Sequence, residues 1–284
     1  MSAPAWIVDA VAAGNAPEPT SLARVAIAPA PSTRDTAAET PDGLVMTPTA
    51  ARIVEGLQLA QMLADVAVIY GAPGVGKSTA AQYYTRTGCA VWYVVAHPGN
   101  AGVVPLLEDV CAAMGIARMN GAAELHRSIV HCAAHRAAYG DGSMDATPGL
   151  LVVDEAQHAS ADALEALRSI HDAAGAGLAL IGNRDLYARI TGGKDAAKLD
   201  GLRARVGRRV HLEGSSEADA AALADAWDVA AAGGRKILAE ACAAEGGLRH
   251  AAKVLRLASL RARAAGRKHT DADLRAAWGE IGGA

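Results

Sequence analysis

VAVIYGAPGVGKST, which occupies Val66–Thr79, determines what the rest of the chain can be. Its first residues form a short β-branched apolar run, which is typical of a buried parallel strand. The motif G-x-x-x-x-G-K-S follows, and a segment without Gly or Pro then predicts a helix. A glycine-rich turn between a strand and a helix N-terminus directs backbone N–H groups towards a phosphate. The flanking elements therefore favour a nucleotide site over a chance glycine-rich turn.

This phosphate loop supplies most of the predicted ligands of a nucleotide. Lys77 can reach the β- and γ-phosphates, and the Ser78 hydroxyl can bind Mg²⁺. The residues predicted to bind the nucleotide here are Gly71, Ala72, Pro73, Gly74, Val75, Gly76, Lys77, Ser78 and Thr79.

A second apolar strand, Leu150–Val153, ends in the two carboxylates of Asp154 and Glu155. A buried strand beside the phosphate loop brings Asp154 to the Mg²⁺, and Glu155 can orient or deprotonate the attacking water. Alone, an apolar strand that ends in an acidic turn would be the simpler interpretation. Together with the phosphate loop, the catalytic interpretation is favoured. Ser160 then predicts the start of a helix.

A further strand, residues 178–182, is followed by Asn183. Its amide could hold the hydrolytic water against the γ-phosphate; the alternative is an ordinary Asn that begins a turn. A helix over 196–205 and a last strand over 209–212 are predicted next. Beyond residue 215 the sequence indicates about four alanine-rich helices, with breaks near the glycines at 233–234, 246–247 and 266.

Composition limits the class of protein. The chain has 284 residues, 51% of them hydrophobic, with 4% aromatics and no Phe. No apolar run reaches the length of roughly 18 residues that suggests a membrane span, and no signal peptide is visible, so we expect a soluble cytoplasmic protein without a membrane partner. Four scattered cysteines indicate buried thiols rather than disulfides or a metal site. His131 and His135 have i,i+4 spacing but lack further ligands, so packing or solvent exposure is favoured over metal binding.

The net charge of −3 conceals two basic segments. Residues 184–209 carry eight Lys or Arg against three acids, and residues 249–268 carry seven and no acid. Local basic segments in an acidic chain suggest a phosphate-bearing partner, while solvated helix faces are the alternative. Residues 1–43 hold six of the eleven prolines, which predicts a mostly disordered arm.

Taken together, these elements resemble the AAA+ ATPases. The segments GAPGVGKST, LLVVDEAQH, LIGNRDLYARITGG and LRARVGRRV are more narrowly similar to the Mu B transposition proteins of phages and prophages, over about residues 45–260. The first two motifs are common to many ATPases, and the last two point to the narrower family. The family has a helix-turn-helix domain where this chain has its arm, so the functions of that domain are not carried over.

The resemblance implies an α/β fold of the AAA+ P-loop class. Its parallel five-stranded sheet has the order 5-1-4-3-2, and a small all-helical C-terminal lid follows. The implied domains are an arm over 1–43, an ATPase domain over 44–213 and a lid over 214–284.

The resemblance also implies roles for single residues, with ATP and Mg²⁺ as ligands. Ser78 and Asp154 would hold the metal, Glu155 would act on the water, and Asn183 would be the first sensor of the γ-phosphate. Arg249, in Gly247-Leu248-Arg249, resembles the second sensor.

Arg205 lies where the family's arginine finger would lie, and it would reach the nucleotide of a neighbouring subunit. The other arginines near the last strand, Arg203, Arg208 and Arg209, remain alternatives for the finger. A surface role or a phosphate contact is the alternative for both Arg205 and Arg249.

A finger supplied in trans makes head-to-tail assembly part of the mechanism, as a ring or as an open filament. The family forms a helical filament on duplex DNA. Arg189, Lys194 and Lys198 are the predicted DNA contacts. Because aromatic residues are few, we expect salt-sensitive, nonspecific phosphate contacts rather than base stacking.

The predicted function is an ATP-dependent, nonspecific DNA-binding ATPase of phage type, acting in a bacterial host. It would oligomerise on duplex DNA and deliver this target to a transposase, and its ATP turnover would be slow and DNA-stimulated. A helicase loader or replication-initiation ATPase is the main alternative, and a structural filament that binds nucleotide without turnover is the second. A sequence-specific repressor is disfavoured because no separate recognition-helix domain is visible.

Overall fold

A computed structural model of the chain describes residues 44–117, 120–138 and 147–282. The predicted arm over 1–43 lies outside these ranges. Five strands form one parallel sheet, namely β1 (Val66–Gly71), β2 (Val91–Val95), β3 (Leu150–Asp154), β4 (Gly177–Gly182) and β5 (Val206–Leu212). Their order is β2-β3-β4-β1-β5, which confirms the expected 5-1-4-3-2 sheet of the AAA+ fold.

Eleven α-helices of six or more residues surround or follow the sheet within the described ranges. They are α1 (Pro48–Met62), α2 (Lys77–Thr87), α3 (Val103–Met114), α4 (Ala122–Ala138), α5 (Ala161–Ala174), α6 (Arg184–Thr191), α7 (Asp200–Arg205), α8 (Glu217–Ala226), α9 (Ala232–Ala243), α10 (Gly247–Ala264) and α11 (Asp271–Ile281). None of these described helices is both long and apolar enough to cross a bilayer.

Each face of the sheet is covered by helices, so the central strands are apolar on both sides. Ile53 and Leu57 of α1 pack with α2 on one face, where Ala67 and Ile69 point. Helices α3 to α7 cover the other face. Burial on both faces explains the continuous apolar runs of β1, β3 and β4.

The last strand differs from its prediction. It begins at Val206, three residues before the expected start at Arg209, and the helix expected from residue 196 begins only at Asp200. β5 is an edge strand that pairs only with β1, so arginine side chains on it reach solvent. Its sequence therefore lacks the apolar run by which a central strand is recognised.

Helices α8 to α11, here called the lid, have a separate apolar core that includes Leu238, Val254 and Leu255. The expected break near Gly233 and Gly234 lies just before them, between the end of α8 at Ala226 and the start of α9 at Ala232, and the two glycines themselves lie inside α9. A Cβ on either residue would come within 2.7 Å of the Asp271 carboxylate, so these glycines allow α9 to approach the start of α11. The expected boundary near residue 213 falls between β5 and α8, and it stays a prediction.

A buried carboxylate ties the lid to the sheet domain. Asp219 of α8 is fully buried and accepts hydrogen bonds from the backbone N–H of Thr49 at 2.8 Å and from its hydroxyl at 2.7 Å. The backbone N–H and hydroxyl of Ser216 also donate to it, each at 2.8 Å. Burial alone would raise the pKa of Asp219, but these hydrogen bonds outweigh it and lower the pKa.

We predict that Asp219→Asn destabilises the chain at pH 7 by about 2–3 kcal/mol, the range for hydrogen bonds to a charged group. The folded-state pKa is depressed, so the ionised form stabilises the fold above the unfolded value of about 3.9, and this stabilisation disappears as the pH falls through the folded value. The difference between wild type and variant should therefore shrink below about pH 4.

Urea unfolding followed by circular dichroism between pH 7 and pH 3 measures this difference. The matched control is Asp225→Asn, whose carboxylate lies on the same helix at 65% side-chain exposure and should change stability by at most about 0.5 kcal/mol. A difference for Asp219→Asn that stays constant over the whole pH range would contradict the assignment.

Candidate nucleotide site

The phosphate loop lies at the bottom of a cleft of about 640 Å³ at the carboxyl edge of the sheet. Helix α2 begins at Lys77, directly after Gly76, so its N-terminus faces the cleft. The loop residues that line the cleft are Gly71, Pro73, Gly74, Val75, Gly76, Lys77, Ser78 and Thr79. A helix N-terminus below a glycine-rich loop provides free N–H groups and a partial positive charge for an anion.

Lys77 is the cation at the centre of the loop. Its ammonium group donates to the carbonyls of Gly71 at 3.1 Å and Ala72 at 2.7 Å. Burial lowers the pKa of Lys77, and the nearby carboxylates of Glu155 and Asp154 oppose that shift. The loop therefore holds a partly desolvated cation, whose attraction to phosphate oxygens is stronger than in bulk water.

Asp154 lies at the end of β3 and is only 2% exposed. One carboxylate oxygen accepts from the Glu155 N–H at 2.8 Å, and the other accepts from the Tyr93 hydroxyl at 2.6 Å. Burial raises the pKa of Tyr93 and the bond to Asp154 adds to the shift, so the hydroxyl stays protonated and donates. The Ser78 hydroxyl interacts with the same Tyr93 hydroxyl, and a carboxylate and a hydroxyl are oxygen ligands that suit Mg²⁺.

Glu155 and Asn183 line the cleft opposite the phosphate loop. Glu155 is exposed and has a left-handed backbone with φ 51°, which is uncommon for a residue other than glycine. Asn183 is the N-cap of α6, since its side-chain oxygen accepts from the N–H groups of Asp185 at 2.9 Å and Leu186 at 3.2 Å. Its amide nitrogen donates to Asp185 and retains a second N–H.

The lid closes the other side of the cleft. The backbone N–H of Arg249 donates to the Gly74 carbonyl at 3.0 Å, and the Arg249 side chain lines the cleft. This approach requires glycine at position 74, because φ is 76° there and a Cβ would lie 2.0 Å from the Gly246 carbonyl oxygen. The start of α10 therefore contacts the loop itself.

Sequence reasoning missed the apolar part of the cleft. Apolar side chains from the approach to α1 and from the lid line it, and two further cations of α10 face it. These residues are Leu44, Val45, Leu223, Trp227, Leu248, Lys253 and Arg256. Such a pocket suits a flat base. Trp227, a rare aromatic in an alanine-rich tail, was the available signal.

Arg205 lies far from the cleft of its own chain. It ends α7, and the next residue, Val206, pairs with Val66 at the start of β1. The phosphate loop follows the opposite end of that strand. The Arg205 guanidinium pairs with Asp172 and donates to the Gly201 carbonyl. Its predicted role as a finger for a neighbouring subunit stays a prediction.

The three predicted DNA contacts differ in their surroundings. Lys194 is exposed, and Lys198 is 61% exposed with its ammonium group 3.1 Å from Asp162. Arg189 is held internally, because it donates to the carbonyls of Gln157 and Ala159 and pairs with Asp195 at 3.0 Å. Of the three, the two lysines are the solvent-exposed ones, and Lys198 would have to exchange its pair with Asp162 for one with a phosphate.

The histidine pair of α4 lies away from this site. The rings of His131 and His135 stack with centroids 5.8 Å apart. Within the described ranges, no group of three or more His, Cys, Asp or Glu side chains is arranged to hold a metal ion.

Comparisons with known proteins agree with this architecture. Residues 61–190 match the family model described as AAA domain, and residues 204–281 match the model described as Mu B transposition protein, C terminal. Among solved structures, Cdc6p from Pyrobaculum aerophilum superposes with a TM-score of 0.56 at 17% identity, over 82% of this chain and 66% of that one. Domain III of the Thermotoga maritima replication initiation protein DnaA gives 0.54 at 13% identity, over 84% and 94%. These two likenesses concern the fold alone.

Curated relatives are nearer in sequence. The chain is 31% identical over 241 residues to the ATP-dependent target DNA activator B of Escherichia phage D108, which spans 85% of this chain and 74% of the relative. The activator of the same name from Escherichia phage Mu gives the same values. The Mu-like prophage FluMu DNA transposition protein B of Haemophilus influenzae is 33% identical over 187 residues, 64% of this chain and 61% of that protein. The chain belongs to the Mu B family of transposition proteins, within the AAA+ ATPases.

Proposed function

We propose that this protein is an ATPase that assembles on duplex DNA without sequence preference and delivers that DNA to a transposase. The observation that carries the proposal is the single cleft in which the phosphate loop, Glu155, Asn183 and the lid residue Arg249 meet. The curated relatives are named ATP-dependent target DNA activators, which supports the transposition role. We place the protein in the cytoplasm of a bacterial host.

In the proposed reaction, Lys77 and the loop N–H groups bind the phosphates of ATP, and the apolar part of the cleft takes the base. Ser78 and Asp154 would hold Mg²⁺, which would neutralise phosphate charge. Glu155 orients the attacking water and accepts its proton, while the free N–H of Asn183 fixes that water. Arg249, at the start of the lid helix α10, senses the phosphates of the nucleotide.

Binding of ATP connects to assembly through the neighbouring subunit. In our proposal Arg205 of one subunit completes the cleft of the next and stabilises the charge of the transition state, an effect of about 10³–10⁵ in rate in related systems. Because such contacts are head-to-tail, they extend into a ring or a filament. ATP then favours assembly on DNA, and hydrolysis releases it. We further propose that turnover is slow until DNA is bound.

We predict that Glu155→Gln lowers DNA-stimulated phosphate release by about 100-fold or more, the usual scale for a lost general base. Binding of a fluorescent ATP analogue should be retained, because the phosphate loop is unchanged. Steady-state phosphate release with saturating duplex DNA measures the effect. Glu124→Gln, the same change on the exposed start of α4, should retain the wild-type rate. Equal rates for wild type and Glu155→Gln would refute the proposed ATPase activity. They would favour the alternative of a structural filament that binds nucleotide without turnover.

A second prediction concerns the DNA surface. Reversing both charges in Lys194→Glu/Lys198→Glu should weaken duplex binding at least about tenfold at low salt and reduce the slope of log affinity against log salt by about 2. Fluorescence anisotropy of a labelled duplex, with ATP and at several salt concentrations, measures both quantities.

Lys236→Glu is the matched control, since Lys236 is 80% exposed on the lid helix α9. Unchanged affinity in the double variant would remove these lysines from the DNA surface. The same assay with single-stranded competitor separates the main alternative: wild type should prefer duplex, and a clear preference for single strands would favour a helicase loader.

A third prediction tests the finger in trans. Arg205→Ala and Glu155→Gln should each be inactive alone, yet a mixture should recover up to about a quarter of the wild-type rate, because some composite sites combine an intact Glu155 with an intact Arg205. Phosphate release from equimolar mixtures on duplex DNA measures the recovery. Arg203→Ala, two residues earlier on α7, should retain activity alone. A mixture that stays inactive would exclude Arg205 and direct the search to Arg208 or Arg209.

A further inference from the structure

Gln157 lies two residues after Glu155, in a short 3-10 turn over Ala156–His158. Its side-chain amide bridges the two sides of the catalytic end of the cleft. The Nε2 group donates to Oε2 of Glu155, and Oε1 accepts from the backbone N–H of Asn183 at 3.3 Å. One carboxamide therefore contacts the proposed general base and the proposed sensor residue together.

The adjoining strand leaves room for this amide. A Cβ on Gly182 would lie 2.5 Å from Oε1 of Gln157, so a larger residue at the end of β4 would displace the side chain. The backbone of Glu155 is held, since its N–H donates to Asp154 at 2.8 Å and its carbonyl accepts from the His158 N–H at 3.0 Å. Its carboxylate accepts a hydrogen bond from the side chain of Gln157. The direction of its carboxylate therefore depends on the contact from Gln157.

Arg189 of α6 holds the backbone of the turn that carries Gln157. Arg189 donates to the Gln157 carbonyl at 2.7 Å and to the Ala159 carbonyl at 3.1 Å, and it pairs with Asp195 in the segment after α6. Both the main chain and the side chain of Gln157 are therefore held. This is the arrangement expected where geometry at a reactive group must be accurate.

We propose that Gln157 is a positioning residue that sets the direction of the Glu155 carboxylate relative to the end of β4, an inference that rests on the ATPase function proposed above. The bond from Nε2 occupies one carboxylate oxygen of Glu155 and leaves the other to accept a proton from water. The bond to the Asn183 N–H fixes the position of this carboxylate relative to Asn183, which in the proposed reaction contacts the same water. Gln157 lines the cleft beside Glu155 and Asn183, and in this proposal it acts on the reaction through the Glu155 carboxylate.

The test compares Gln157→Met, which keeps the length but removes both hydrogen bonds, with Gln157→Glu, which replaces the donor by a second negative charge. Both should lower kcat for DNA-stimulated ATP hydrolysis about tenfold or more, with Gln157→Glu the lower, because a small misplacement of a catalytic group is costly. KM for ATP, affinity for a fluorescent ATP analogue and the thermal unfolding midpoint should stay near wild type. His158→Ala, an exposed neighbour on the same turn, is the control and should match wild type in every assay.

A double-variant cycle distinguishes action through Glu155 from a separate effect. Adding Gln157→Met to Glu155→Gln should cause no further loss of rate if Gln157 acts through that carboxylate. An additive loss, or a Gln157→Met enzyme with wild-type kcat, would overturn the inference. A rise in KM together with a fall in analogue affinity would also overturn it, since that pattern belongs to a residue that shapes the nucleotide site.

These outcomes are separable from failure of the proposed function. If Glu155→Gln hydrolyses ATP as fast as wild type, both the ATPase proposal and the inference about Gln157 are wrong. If Glu155→Gln is slow while Gln157→Met is fast, the ATPase stands and only the role of Gln157 falls.

Discussion

The candidate site depends on a contact made by backbone atoms alone, from the Arg249 N–H to the Gly74 carbonyl. The two walls of the cleft come from parts of the chain with separate apolar cores. Asp219 holds the lid to the start of α1, and the contact at Gly74 holds it to the phosphate loop. At the loop, the distance between the walls is set where Gly74, which has no side chain, meets Gly246 and Gly247 at the start of α10. Any side chain at position 74 would separate the walls and open the cleft.

Much of this arrangement was predictable from the sequence, for a physical reason. In a parallel sheet every strand ends at the same edge, so polar residues that follow apolar runs must meet there. The phosphate loop, Asp154, Glu155 and Asn183 each follow such a run. The strand order came from the resemblance to the AAA+ ATPases, and the sheet confirms it.

The rest of the fold and the site could not be predicted, because the residues involved form no periodic sequence pattern. The apolar part of the cleft combines Leu44 and Val45 with Trp227, which is far from them in sequence, and none of the three belongs to a motif. Gly233 and Gly234 have the appearance of a helix break, although they serve close packing against Asp271. β5 has charged residues where a central strand would have apolar ones, and only its position at the edge explains them. In each case the deciding factor is a contact between distant segments.

Asp219 gives the lid a further property. The start of α1 contributes Thr47 to the cleft, and two residues later Thr49 bonds to the buried carboxylate of the lid. The same helix start therefore belongs to both halves of the molecule. A lid grafted from a relative would therefore need residues 44–50 together with residues 214–282. These two ranges form one structural unit, although they are far apart in sequence.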